Sequence, residues 1–338
     1  MRLVRFLFAF LIALCHVVSA QNIMRIHYND GKKTDVPISL VDSITFEESA
    51  TQSTRIMIVP DIQHYTDNDA NLPYLDVITD YYINQIDSFS ACFQVGDVTN
   101  NNMDWQWENA FNHFFKKFPM GKEPYFCMGN HDYGENGKSG TRTSNIPEYM
   151  KPVMEFQMKG CQYENYVRYL QVGEVNYAVL DLEFAPRNNA IEWANNIIAA
   201  NPSTPFILLT HVFLNRYAQI YDATDPSCFS KGSQKTYVMG GDYVNDSKEI
   251  FDKLIYDNPN IKLVVCGHSL TPNYIDVVEK TNAAGENVHI VMVNYQHYDE
   301  GGKGYVGIMD FEKEGYRIRS FSTVSKKFGS IDISVGGN

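Results

Sequence analysis

The segment Cys127-Met128-Gly129-Asn130-His131-Asp132 sets an amide, an imidazole and a carboxylate side by side directly after an apolar run. Such groups can hold a cation, move a proton and orient one another. Tyr125 to Met128 reads as a short buried strand and Gly129 permits a sharp turn, so the three polar side chains fall on the loop at the strand's carboxyl end. Ligands collect at such ends in α/β sheets. The pattern recurs four times. Arg55 to Pro60 leads into Asp61, Gln63 and His64, and Ala91 to Val95 leads into Gly96-Asp97 and Asn100. Thr204 to Thr210 leads into His211, and Ile261 to Cys266 leads into Gly267-His268. A neutral amide oxygen, carboxylates and imidazoles together suit Mn, Fe or Zn, and the lack of cysteine in the set argues against a structural zinc site. The chemistry such a set supports is hydrolysis of a phosphate ester by metal-activated water.

Stepping from these residues to what must carry them, apolar strands alternate with helical segments, which favours an α/β layered fold. Helices are expected near 74–86, 104–118, 189–200 and 247–257, the last opened by the capping pattern Asp246-x-x-Glu249. Tyr305 to Phe311 and Tyr316 to Thr323 read as a hairpin around Glu314-Gly315. His113 lies on a helix face beside Phe111, Phe114 and Phe115, and reads as structural, as do His27 and His289. With 338 residues, 44% of them hydrophobic, the chain can bury one large core or two moderate ones.

The order D-x-Q, GD-x-x-N, GNHD, an isolated His and then GH resembles the calcineurin-like metallophosphoesterases over roughly 55–323. Gln63 in place of the first-motif histidine, Leu182 to Arg187, Asn294-Tyr295-Gln296 and Gly301 to Tyr305 resemble a secreted bacterial branch. The resemblance implies a fold of two packed mixed β-sheets flanked by helices, a four-layer sandwich, spanning 55–325 with a C-terminal tail at 326–338. It also implies two divalent metal ions. Asp61 and Gln63 would hold the first, Asp97 would bridge, and Asn130, His211 and His268 would complete the second. A metal-activated hydroxide would attack a small phosphate mono- or diester while His131, its ring set by Asp132, assists the leaving group. Asn100 would orient the loop or a phosphate oxygen.

This sequence also departs from the family pattern. The family closes with GHxH, whereas this chain reads Gly267-His268-Ser269-Leu270, and Leu270 cannot bind a metal. The first site is therefore expected to be weak unless His64, Gln296 or His297 contributes. Two long polar insertions, at 133–145 and 215–242, are expected to shape specificity. Arg216 is the leading candidate for a phosphate contact, and Arg187 is a second for which a structural salt bridge is the competing use. The alternative reading is a metal-containing glycan- or nucleotide-binding protein with a damaged first site.

The amino-terminal 20 residues, with Arg2 and Arg5 before an apolar run and Ser19-Ala20 at its end, read as a cleaved signal peptide. That predicts a secreted, periplasmic or cell-surface protein with no transmembrane span in the mature chain. Residues 21–47 read as a small β leader, with a hairpin at Asn29-Asp30-Gly31 and a third strand at 41–46, and 48–54 as a linker. Net charge is −12, and loss of the signal would remove two arginines and no acid. An acidic chain is a poor nonspecific binder of nucleic acid, which leaves small phosphate esters or neutral partners open. Cys92, Cys127 and Cys266 read as buried thiols, and an oxidising compartment would let Cys161 and Cys228 pair.

Overall fold

The computed structural model describes residues 23–27, 32–38, 53–135, 138–151, 156–159, 163–225 and 243–336. The chain divides into two units, 1–51 and 52–338. In the first, β1 (Ile23–His27) and β2 (Lys33–Pro37) pair antiparallel, with Ile23 opposite Pro37. An Arg25–Asp35 ion pair of 2.6 Å bridges the two strands. The signal segment, the expected strand at 41–46, Cys161 and Cys228 lie outside the described residues.

The second unit runs β3 (Arg55–Val59), α1 (Gln63–Thr66), α2 (Leu72–Ile83), β4 (Ala91–Gln94), α3 (Asp104–His113) and β5 (Tyr125–Phe126). It continues through β6 (Phe156–Gln157), β7 (Tyr166–Val172), β8 (Val175–Leu182), α4 (Asn188–Ala200) and β9 (Phe206–Thr210). Then come α5 (Ser247–Ile250), β10 (Ile261–Cys266), β11 (Ile275–Thr281), β12 (Asn287–Val293), β13 (Tyr305–Phe311), β14 (Tyr316–Ser322) and β15 (Lys327–Val335). One sheet has the order β11-β12-β10-β9-β8-β7-β6 and the other β15-β14-β13-β3-β4-β5. Both are mixed: β3-β4-β5 and β8-β9-β10-β12 are parallel runs, with antiparallel strands at their flanks.

The two-residue period of the strands explains the layering. Ile56 and Ile58 meet Ile207, Leu209, Val265 and Val291 in a core between the sheets. Met57 and Val59, on the opposite face, pack under Leu75, Ile78, Trp107 and Phe114 of α2, α3 and the turn after them. Leu208, Val264 and Ile290 pack likewise under Ile191, Ala194 and Ile198 of α4. Strands covered on both faces need continuous apolar sequence, which these have. Burial of each such side chain stabilises the fold by about 1.5–3 kcal/mol. The result is helix, sheet, sheet, helix, as expected.

Several boundaries differ from expectation. The helix at 104–118 ends at His113 because Phe114 takes φ −129°, ψ −78°, and a 3₁₀ turn at Phe115–Lys117 follows. The segment at 247–257 starts with the expected box, Glu249 N donating to Asp246 Oδ1 at 2.9 Å and Asp246 N to Glu249 Oε2 at 3.0 Å. It then widens into a π-helical turn at Phe251–Ile255. The tail expected at 326–338 is a correction: β15 pairs antiparallel with β14, Ile318 lying opposite Ile333. Arg319 stacks over Phe328 at 3.7 Å and Arg317 pairs with Asp332, so the last strand is held by side chains as well as backbone. His113 Nδ1 lies 2.9 Å from Asp76, and His289 sits against Glu279 and Tyr316, which makes both structural. Cys92, Cys127 and Cys266 are buried thiols, and burial pushes Cys266 up to about 12. Among the described residues no helix is long and apolar enough to cross a membrane.

Candidate metal centre

Six loops at the carboxyl ends of β3, β4, β5, β9, β10 and β12 meet at one edge of the two sheets, and their first polar residues converge. Asp97, His211 and His268 offer ligand atoms that all lie within 4.8 Å of one another. His211 explains why this is a cation site. Its Nδ1 sits 2.7 Å from the Val95 carbonyl, which can only accept, so in the neutral ring the proton is on Nδ1 and the lone pair is on Nε2. That Nε2 is 3.2 Å from Asp97 Oδ1, 3.2 Å from Asn130 Oδ1 and 3.1 Å from His268 Nδ1. The Asp97 and Asn130 oxygens can only accept, and they repel a lone pair on Nε2 unless a proton or a cation lies among them.

Charge follows the same logic. Burial alone would push the His211 imidazolium down, but Asp97 outweighs it and carries His211 up to about 9. Burial would raise Asp97, yet His211 and His131 hold it well below the usual carboxylate range. Asp61, fully buried, is pushed up to about 7 by desolvation. One acceptor at the site, Gln63 Oε1, is buried without a hydrogen-bond partner. Buried polar groups rarely go unmatched. The carboxylates, imidazoles and amides present therefore fit divalent cations.

Backbone strain marks the same places. Asp97 (φ 49°) and His268 (φ 63°) occupy the left-handed region, which non-glycine residues adopt at a cost of about 1–3 kcal/mol when the surroundings demand it. The glycines of the motifs serve close approach. A Cβ on Gly129 would stand 2.1 Å from Asp97 Oδ1, and one on Gly267 would stand 2.5 Å from Asp61 Oδ1. Gly129→Ala is therefore expected to displace Asp97, lowering kcat by about 100-fold, the loss that a shift on the order of 1 Å produces. Steady-state kinetics with a metal assay of the purified variant tests this, and wild-type turnover would refute it.

A cleft of ≈ 650 Å³ opens over the cluster, lined by Gln63, Asp97, Asn100, His131 and His268 on its floor and by His64, Arg216, Tyr217, Leu270, Gln296 and His297 around it. His131 Nδ1 is 2.6 Å from the Asn100 carbonyl, which again places the proton on Nδ1 and turns Nε2 to the cleft. Asn100 Nδ2 donates to Asp67 at 2.6 Å, so Asn100 positions the loop, the first of its two expected uses.

Two expectations are corrected here. Asp132 does not set the His131 ring; it accepts from the backbone N–H groups of Val98, Thr99 and Gly129 at 3.2, 2.8 and 2.9 Å and clamps the two motif loops together. Burial pushes it up to about 6 despite these donors. Arg187 is not at the cleft; its guanidinium pairs with Glu183 at 2.6 Å and Glu164 at 3.1 Å. The ion-pair use of this arginine wins because two buried carboxylates on its own side of the fold need a counter-charge. Arg216 does reach the cleft, its guanidinium lying over Tyr217.

His64 and His297 face each other at the rim with ring centroids 5.7 Å apart, outside the Asp97, His211 and His268 group. Gln296 is engaged with protein: Nε2 donates to Asp61 Oδ2 at 2.8 Å and to the His268 carbonyl at 3.2 Å, and Oε1 accepts from Gln63 Nε2. Asn294, to which the sequence reading gave no role, also donates to Asp61 Oδ2, at 3.2 Å. Its signal was available, because Asn294-x-Gln296 follows an apolar strand in the same manner as every other motif. The loop insertion at 133–145 is pinned where described, Arg142 donating to the Phe184 carbonyl and Asn102 to that of Gly134. Residues 226–242 of the second insertion lie outside the described residues.

The profile of the calcineurin-like phosphoesterase family matches residues 54–272. The chain belongs to that family. This phosphoesterase is also 22% identical over 260 residues to the uncharacterized protein YvnB of Bacillus subtilis, a match covering 73% of this chain. The chain spans only 18% of that relative's length. Solved structures similar to it include a purple acid phosphatase from yellow lupin, at 12% identity and TM-score 0.49, over 94% of this chain and 59% of that one. A dimetal phosphatase from Danio rerio is similar at 9% identity and TM-score 0.47, over 85% of this chain and 100% of that one.

Proposed function

We propose that this phosphoesterase is a secreted hydrolase of small phosphate mono- or diesters that works with two divalent cations. The observation that carries the reading is the convergence of Asp97, Asn130 and His268 at 3.1–3.2 Å around Nε2 of His211 beneath an open cleft. Asp97, Asn130, His211 and His268 would hold one cation, and Asp61, Gln63 and Asp97 the other. Bound there, the cations would neutralise phosphoryl oxygens and ionise a water at neutral pH. The chain's own part is orientation and proton transfer. Arg216 reaches a non-bridging phosphate oxygen by a charge-assisted hydrogen bond. His131, its Nδ1–H donated to the Asn100 carbonyl, would in its doubly protonated form give the Nε2 proton to the leaving oxygen and be left neutral. The acidic balance of the chain disfavours long polyanions and leaves compact esters as substrates.

Chelated protein titrated with Mn²⁺ or Zn²⁺ and assayed on aryl phosphate mono- and diesters tests the proposal. Two equivalents should bind, turnover should return with them, and the melting temperature should rise, since ligand at 100 times its Kd adds about 2.7 kcal/mol. Leu270 and the amide at Gln63 favour the second reading, a metal-containing glycan- or nucleotide-binding protein. Tight binding of such a ligand without hydrolysis would establish it and sink the first.

A further inference from the structure

We propose that Gln296 selects which atom of Gln63 faces the first cation, and so completes that site in a chain where Leu270 stands in the position of the family's last histidine. The inference rests on the two-cation reading above and concerns how one half of that centre is built.

The argument is one of hydrogen-bond direction. The His268 carbonyl can only accept, as can Asp61 Oδ2 in the carboxylate form that a cation requires, and both lie against the same nitrogen of Gln296, at 3.2 and 2.8 Å. The Gln296 amide therefore must point Nε2 toward them. Its Oε1 is then the atom that faces Gln63, and an acceptor there demands a donor, so Gln63 must answer with Nε2. The other end of the Gln63 amide, Oε1, is left buried, without a partner, on the wall of the cleft. An amide that could present either end is thus held with its oxygen toward the cation position. Oxygen is the end that binds a divalent metal; the NH₂ would repel it. Gln296 N in turn donates to Asn294 Oδ1 at 2.9 Å, and Asn294 Nδ2 donates to Asp61 Oδ2, which fixes the chain of amides at its far end. Buried networks of this kind are stable only when every member is matched, and here the one unmatched atom is the oxygen of Gln63, a residue that lines the cleft.

Among the described residues no imidazole other than those of His64 and His297 lines the cleft beside the first site. Leu270 lies partly exposed on the cleft wall, and His64 and His297 sit at the rim facing each other. Gln296 acts through Gln63 and Asp61 and is a positioning residue.

The test is Mn²⁺ binding by the full chain after chelation, read by calorimetry and by the electron paramagnetic resonance signal of a coupled Mn pair. Wild type should bind two ions. Gln296→Met should keep one ion at unchanged affinity, weaken the other at least about tenfold and lose the coupled signal, as loss of an orienting partner does. Gln63→Leu should weaken the same ion. The double variant Gln63→His/Gln296→Met should regain it, because an imidazole exposes a lone pair without an amide chain to choose its end. Gln296→Asn, too short to span Asp61 and Gln63, serves if Gln296→Met does not fold. Two ions at wild-type affinity in Gln296→Met, no recovery in the double variant, or a single ion in wild type would overturn the proposal. Two ions without turnover on any phosphate ester would instead defeat the enzymatic reading and leave the role of Gln296 standing.

Discussion

Asp97→Asn should abolish hydrolysis, lowering kcat at least ~10³-fold, and should cost the protein bound metal. Asp97 is the residue on which the whole centre turns. Its Oδ1 accepts from the His131 backbone N–H at 2.9 Å and lies 3.2 Å from His211 Nε2, and the side chain is almost wholly buried. Asparagine keeps the shape, and its oxygen can still accept from His131. What it removes is the negative charge that raises His211 and would join two cations across the site. Charge stabilisation of that sort is worth several kcal/mol in a water-poor pocket, and about 4 kcal/mol corresponds to the ~10³-fold loss. Turnover of an aryl phosphate measured beside metal content decides the matter. Retention of both by the variant would show that Asp97 is a loop former and would remove the basis for a shared-ligand centre.

His131→Ala separates chemistry from metal binding and is expected to lower kcat by ~10²–10⁴-fold, the usual contribution of a positioned general acid. Metal content should stay at the wild-type value, since the His131 backbone N–H that Asp97 uses is kept and the ring nitrogens are turned to Asn100 and the cleft. The loss should be smallest for esters with acidic leaving groups, which depart without a proton, and largest for alkyl esters. An equal loss across that series would argue that the ring does something other than protonate the departing oxygen. Asp132→Ala should behave differently. It strands three backbone N–H groups, at about 1–3 kcal/mol for each one left buried and unpaired, so its main effect is on thermal stability.

Much of the architecture is legible in residue pattern. Buried strands such as Arg55–Val59 and Ile261–Cys266 show as unbroken apolar runs because both faces are covered, and a run that ends in Asp, Asn or His marks where a loop turns toward the shared edge of the sheets. The capping pair Asp246 and Glu249 shows for the same reason, being a contact three residues long. Ile331, Ile333 and Val335 alternate with Asp332 and Ser334, so a short strand is legible at 331–335 although the expectation there was a tail. Its pairing is decided by β14, which offers Arg317 and Arg319 to Asp332 and Phe328. Asp132 was misread, and Arg187 was left between a phosphate contact and an ion pair, because a side chain's type restricts what it can bond and leaves its partner unspecified.

Sequence alone determined the inventory of the centre: carboxylates, amides and imidazoles stationed after apolar strands, with glycines where side chains of neighbouring loops pass within a bond length or two. Only the tertiary structure decided which end of each amide and which nitrogen of each ring faces the cleft. Composition and period are local properties, carried by neighbours along the chain. Hydrogen-bond direction belongs to a pair, and Gln296 and the Asp61 carboxylate it answers to are 235 residues apart.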